Sequence, residues 1–150
     1  AWAKENEVVL QLLRVGHVYG PGEEAYAKLI PIVINRILEG KELAQYGEGV
    51  DIRSFIYITD VVKAIVKAVT LEEAVGPVNI VSTEQKTIKQ VLSEIIQTSG
   101  REVVVNQIDT DLTPRNLVFD NTKMKKYLHT PAVTFTEGIT KEWEYMKSLK

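Results

Sequence analysis

The stretch IRSFIYITDVVKAIVKAVTL, residues 52–71, changes its apolar rhythm halfway along, and that change decides the fold class. Over residues 52–58 the side chains alternate, with Ile52, Ser54, Ile56 and Ile58 on one side and Arg53, Phe55 and Tyr57 on the other. A period of two predicts a strand, and it places Arg53 on the same face as two aromatics. From Asp60 onward the period becomes helical, with Thr59 or Asp60 as the expected cap and Lys63 and Lys67 spaced i,i+4 on the wet side. A strand that runs straight into an amphipathic helix is an α/β unit, and the flanking sequence repeats the pattern.

Toward the N-terminus, residues 8–14 (VVLQLLR) are apolar on both faces, as in a buried strand, and they run into a loop punctuated by Gly16, Gly20, Pro21 and Gly22. Residues 26–38 carry Leu29, Ile30, Val33, Ile34, Ile37 and Leu38 at helical spacing, with Gly40 as terminator and Pro31 in the first turns, where a missing N–H is tolerated. A strand over 43–46 then meets the turn Gly47-Glu48-Gly49. Toward the C-terminus, Gly76-Pro77 breaks the chain before a short strand at 78–81. Thr87 and Gln90 form a capping box for a helix over 88–98 that Gly100 closes. An edge strand over 102–108 follows, then a short helix over 121–128 and a last one over 136–149 that presents Ile139, Trp143 and Met146. No internal repeat or linker-like stretch interrupts this alternation.

At 150 residues the chain has the length of one ordinary domain, and 45% hydrophobic with 25% charged residues is average for a globular protein. The longest uncharged apolar run, 29–35, contains Pro31 and falls far short of the roughly 20 residues that span a bilayer, so no membrane association is expected. AWAKENEVV has no basic region followed by an apolar one, so no secretory signal is read, and a cytoplasmic address is expected. With no cysteine, disulfides and thiolate chemistry are excluded. The net charge of −2 is interleaved along the chain, which argues against nucleic-acid binding. Lys123, Lys125 and Lys126 read as the solvated face of a short helix. His17 and His129 have no metal-ligand spacing, so no metal is expected.

A search for catalytic groups finds no phosphate loop and no G-x-S-x-G elbow, and Glu72, Glu73, Asp109 and Asp111 sit in polar stretches as solvated charges. What remains are polar side chains at strand ends: His17, Tyr19, Arg53 and Asp60. Strand ends are where open α/β sheets place ligands. Arg53 lies beside a glycine turn, where a guanidinium can grip a phosphate through two hydrogen bonds; the alternative is a surface pair with Asp51 or Glu48.

The segment RVGHVYGPG (residues 14–22), followed by KLIPIVINRILEGKELAQYGEGVDIRSFIYITDVVKAI (28–65), resembles the NAD-dependent nucleotide-sugar epimerase/dehydratase family of extended short-chain dehydrogenases/reductases. That family's pattern is R-x-x-N-x-Y-G-P-G, an I-P helix, then G-x-P-L-x-x-Y-G-x-G-x-x-x-R-D-F-x-Y-V-x-D-V. GPVNIVS (76–82) is similar to its V-Y-N-I-G strand. FDNTKMKKYL with FTEGITKEW is similar to D-x-S-K-x-x-x-x-L-G with L-E-E-G-L.

The resemblance implies an α/β, Rossmann-like fold of short strands and amphipathic helices, with residues 1–150 as the C-terminal, substrate-binding part of a longer enzyme. The NAD-binding half, with its glycine-rich turn and Tyr-x-x-x-Lys catalytic pair, would precede this chain. Residues 1–7 then look like the tail of the catalytic helix and 8–14 like a Rossmann strand. No catalytic residue is therefore expected here, and this part alone should be inactive. NAD would be held mainly by the other half, with Val15 and Gly16 at the strand end passing the nicotinamide.

For the substrate, a nucleotide-diphosphate sugar, the resemblance implies Arg53 at the diphosphate, Ala44, Gln45 and Tyr46 along the nucleoside, and Lys28, Leu29 and Ile30 near the base. Asp60 matches a family aspartate read as a helix cap. His17 stands where the family has an asparagine that touches substrate. Thr110 stands where a second diphosphate arginine is usual, and Arg115 is expected to substitute. Ser54 replaces the aspartate of R-D-F. The function implied is that of a UDP-glucose 4-epimerase-like or dTDP-glucose 4,6-dehydratase-like enzyme, an isomerase or lyase of carbohydrate metabolism. The alternative is a non-catalytic nucleotide-sugar-binding or assembly module. Strands 8–14 and 78–81 would pair with strands outside the chain, so a homodimer or strand-exchanged oligomer is expected to cover their edges.

Overall fold

The computed structural model describes residues 2–150. Within residues 1–7, expected to be a helix tail, Trp2–Glu5 form a four-residue helix, α1, and Ala1 lies outside the described residues. The first strand, β1, is Leu12–Val15, shorter and later than residues 8–14. Nor is it buried: Leu12 and Val15 are about half exposed, so two apolar faces in sequence did not mean two covered faces. β1 pairs in parallel with β6, Pro77–Ile80, so the two strands expected to seek partners elsewhere find each other and keep their outer edges.

Residues read as a loop after Gly16 contain a second strand, β2, His17–Tyr19. α2 is Leu29–Leu38 and β3 is Leu43–Tyr46, as the spacing predicts. The strand predicted over 52–58 is two strands, because the backbone changes partner at the buried Ser54. β4, Ile52–Arg53, runs antiparallel to β7, Lys86–Thr87, and β5, Phe55–Tyr57, runs parallel to β2. α3 begins at Ile58, with Tyr57 at its cap position, and ends at Val69. Neither Thr59 nor Asp60 caps it, because the helix starts too early for either side chain to precede it.

The Thr87–Gln90 capping box forms as predicted and opens α4, Ile88–Ser99, which Gly100 closes with a φ of 63°. β8, Val105–Ile108, pairs in parallel with β3. α5 is Thr122–Tyr127 and α6 is Phe135–Ser148.

The β2/β5 ladder divides the interior. Tyr19, Phe55 and Tyr57 face a core built with α2, α4 and α6, while Val18 and Ile56 face a second core with Val61, Ala64, Val78, Ile80 and Met124. Alternation along two short strands therefore feeds both cores. Tyr19 is wedged among Phe55, Tyr57 and Phe135, with ring centres 5.4–6.3 Å apart, and its hydroxyl donates to the Phe135 carbonyl at 3.3 Å. α6 can approach this closely because of Gly138, where a Cβ would lie 2.0 Å from the Tyr19 oxygen. Among the described residues no helix is long and apolar enough to cross a membrane.

Candidate functional site

Three clefts meet at Arg53. The first, about 450 Å³, runs from Gly16 and His17 past Lys28, Leu29 and Ile30 to Arg53, with Phe55, Ile88 and Glu23 in its walls. The second, about 550 Å³, adds Ala44, Gln45 and Tyr46, and the third, about 620 Å³, lies between the Gly47–Gly49 turn and Arg115. The structure thus brings together His17, Lys28, Leu29, Ile30, Ala44, Gln45, Tyr46, Arg53, Arg115 and Gly16. Val15 lines none of the three and sits half-exposed on β1.

Arg53 is held on one side and open on the other. Its Nη1 donates to the carbonyls of Ile52 (2.9 Å) and Arg115, and its Nη2 reaches Asp51 Oδ1 at 3.4 Å. Asp51 is organised in turn by the backbone N–H of Arg115, 2.8 Å away. That hydrogen bond, followed by the charge of Arg53, holds the Asp51 carboxyl below its usual range. The surface pair with Asp51 is therefore real, and it leaves the Nε–H and one Nη2–H of the guanidinium without a partner among the described residues. Those two donors form the edge with which arginine grips an oxyanion. Arg115 contributes backbone to this arrangement, while its side chain is exposed in the third cleft.

The start of α2 adds to the same pole. Lys28 is its cap residue, and the N–H groups of Leu29 and Ile30 open the helix, where no preceding turn can accept them. Lys28 Nζ lies 3.4 Å from Glu23 Oε1, and the Glu23 side chain is 8% exposed. Burial pushes the Glu23 carboxyl up, and Lys28 partly opposes that. His17 stands beside Phe55, ring centres 5.6 Å apart. Burial, and then the charges of Arg53 and Lys28, hold its imidazole below the ordinary range, so it is neutral at neutral pH.

The turn that carries the second cleft depends on Gly49. It has a φ of 65°, and a Cβ there would lie 3.1 Å from the Lys89 backbone nitrogen, which itself donates to the Gly49 carbonyl at 2.9 Å. Asp60, read from sequence as a cap, is elsewhere altogether. Fully buried, it accepts hydrogen bonds from the N–H groups of Ala132 and Val133 (3.0 Å each) and lies 2.8 Å from His129 Nε2. Sequence reasoning missed Glu23, Phe55 and Ile88 as cleft walls. The G-P-G turn preceding Glu23 was the only local signal, and nothing in it announces burial.

Comparison with known proteins gives this arrangement a context. The sequence model described as "NAD dependent epimerase/dehydratase family" matches residues 1–81. YtcB of Bacillus subtilis (strain 168), described as an uncharacterized UDP-glucose epimerase, is 33% identical over 95% of this chain and 46% of its own length. The dTDP-glucose 4,6-dehydratase 1 of Escherichia coli (strain K12) is 33% identical over 100% of this chain and 44% of its own.

Among solved structures, a UDP-glucuronic acid 4-epimerase mutant from Bacillus cereus, bound to a fluorinated UDP-glucuronic acid and NAD, superposes with a TM-score of 0.86 at 27% identity over 99% of this chain and 48% of that one. The UDP-glucose 4-epimerase of Thermotoga maritima, bound to UDP-glucose, gives 0.82 at 28% identity over 99% and 50%. The chain spans about half the length of the curated relatives it matches. With the family model covering more than half of its residues and relatives a third identical along nearly all of them, the chain belongs to the NAD dependent epimerase/dehydratase family.

Proposed function

We propose that this chain forms the nucleotide-sugar-binding half of an NAD-dependent sugar-nucleotide epimerase or dehydratase. The observation that carries the reading is Arg53, fixed by Asp51 and the Arg115 carbonyl with its outer edge free, at the junction of three clefts. Together with the start of α2 it makes one positive pole, suited to a diphosphate. The groove past Ala44, Gln45 and Tyr46 is left for the nucleoside, and the pocket by His17 for the sugar. Binding energy from the nucleotide handle orients the sugar for chemistry elsewhere in the protein.

NAD belongs to the same proposal, and the residues here fit one side of it. At Gly16 a Cβ would lie 2.7 Å from Val81 Cγ1, so the passage from β1 to β2 admits only a bare backbone. Val15 beside it is exposed and apolar, and the Gly16 N–H is spent on the Ile80 carbonyl at 3.0 Å. This edge supplies a wall, and the hydrogen bonds that hold a dinucleotide must come from the other half. Bound NAD supplies a hydride acceptor and donor. The glycine-rich turn and the Tyr-x-x-x-Lys pair belong to that half, and the same proposal gives the whole enzyme a cytoplasmic setting. The exposed apolar residues of β1 and of α3 (Val62, Ile65, Val66 and Val69) suit cover by it, or by a second copy of the chain.

In the whole protein, Arg53→Ala should weaken nucleotide-sugar binding by about 2 kcal/mol, close to 30-fold in Kd, the loss expected for a charged hydrogen-bonding partner. Calorimetric titration with UDP- and dTDP-glucose checks this. Binding unchanged by the substitution would overturn the assignment.

A further inference from the structure

The first cleft is lined by two chemically different groups. Arg53 brings two free donors. Glu23 lines the same cleft with its Oε1 3.4 Å from Lys28 Nζ, while its Oε2 is buried without a hydrogen-bond partner among the described residues. The lysine in this wall is therefore already paired with an acid.

Two more acidic side chains stand near. Glu24 accepts from the Gly22 N–H (2.8 Å) and the Tyr145 hydroxyl (3.0 Å). Glu142, fully buried on α6 with both oxygens unpartnered among the described residues, lies within electrostatic reach of Glu23 and Glu24. His17 in the same cleft brings no positive charge at neutral pH.

A nucleotide sugar laid in this cleft with its diphosphate at Arg53 presents its sugar to His17 and Glu23. A neutral sugar brings no charge against this wall, where the unpartnered oxygen of Glu23 is buried. A carboxylate on the sugar would instead meet Glu23 with no free cation to receive it, and like charges desolvated together are costly. Resting on the reading above, we propose that Glu23 is a specificity-determining residue that makes this site take nucleotide sugars with a neutral hexose and reject those with a uronic acid. UDP-glucose and UDP-glucuronic acid, which differ in this way, are bound in two of the similar solved structures.

The test is equilibrium binding to the whole protein of UDP and dTDP, of their glucose esters and of their glucuronate esters. The glucose ester should bind about tenfold more tightly than the glucuronate ester of the same nucleotide, a modest value for like-charge exclusion at a partly screened site. Glu23→Gln should bring that ratio to within about twofold of one. Because the ratio is taken within one protein, a general loss of affinity in the variant cancels. Equal or tighter binding of the glucuronate ester by the unsubstituted protein would overturn the assignment of Glu23. If neither bare diphosphate binds, the nucleotide-sugar reading itself falls, and the inference falls with it.

Discussion

Asp60 and Glu142 are both fully withdrawn from solvent, yet among the described residues Asp60 is surrounded by donors and Glu142 has none. Asp60 sits in the first turn of α3, where the helix dipole favours a negative charge, and its carboxylate gathers two backbone N–H groups and the His129 ring from a segment about seventy residues away. Glu142 projects from α6 into the region where Glu23 and Glu24 already place acid. The first arrangement joins the α3 region to the stretch that leads into α6. The second stores unfavourable electrostatics next to the candidate sugar pocket. A buried carboxylate is thus a clasp when donors surround it and a source of tension when they do not.

Removing the clasp should have the largest effect. Asp60→Ala leaves the Ala132 and Val133 N–H groups and His129 without their acceptor and opens a hole beside the second core, so a loss of about 4 kcal/mol is expected in denaturant unfolding. A loss below about 1 kcal/mol would mean that water replaces the carboxylate and that the comparison is wrong.

For Glu142 the sign is opposite. Burial, and then the charges of Glu23 and Glu24, push its carboxyl up from 4.5 to about 7. The folded state therefore holds a proton that the unfolded state gives up between about pH 4.5 and 7, and stability falls as pH rises through that window. Glu142→Gln should match the unsubstituted protein near pH 5 and exceed it by about 2 kcal/mol at pH 8.5. Melting curves across that range decide it, and parallel profiles for the two proteins would show that Glu142 is solvated or paired.

How far the sequence announces these features depends on how local they are. The Thr87–Gln90 box rests on neighbours within four residues and stands where the spacing puts it; the strand at Leu43–Tyr46 also stands where the sequence puts it, bounded by the local Gly40 and Gly47 breaks, although its partner is Val105–Ile108. A second box, Thr134 with Glu137, carries the same local signal and starts α6 one residue earlier than the apolar spacing suggests. β2 was hidden because three residues between glycines become a strand only by pairing with Phe55–Tyr57, some forty positions on. Ser54 splits one alternating run for the same reason: β4 and β5 have different partners.

The cleft residues were readable because the motif spacing of the family carries them. Glu23 and Asp60 were not, since burial and distant donors leave no trace in a local pattern. Glu142 did leave one. It lies three positions after Ile139 and four before Met146, inside the apolar stripe of α6, where an ionisable residue contradicts the face it belongs to.

His129 sharpens the contrast most finely, because it removes one donor from Asp60 and leaves the other two. With Nε2 2.8 Å from Oδ1, and the two backbone N–H groups both on Oδ2, the ring is the only partner of its oxygen among the described residues. His129→Ala should therefore cost about 1 kcal/mol, the net worth of one hydrogen bond, against the larger loss for Asp60→Ala. The two substitutions share a contact, so the double variant should be no less stable than Asp60→Ala alone, and the deficit from additivity measures the coupling. If the single losses simply add, the ring and the carboxylate stabilise the protein independently, and the clasp consists of the backbone N–H groups alone.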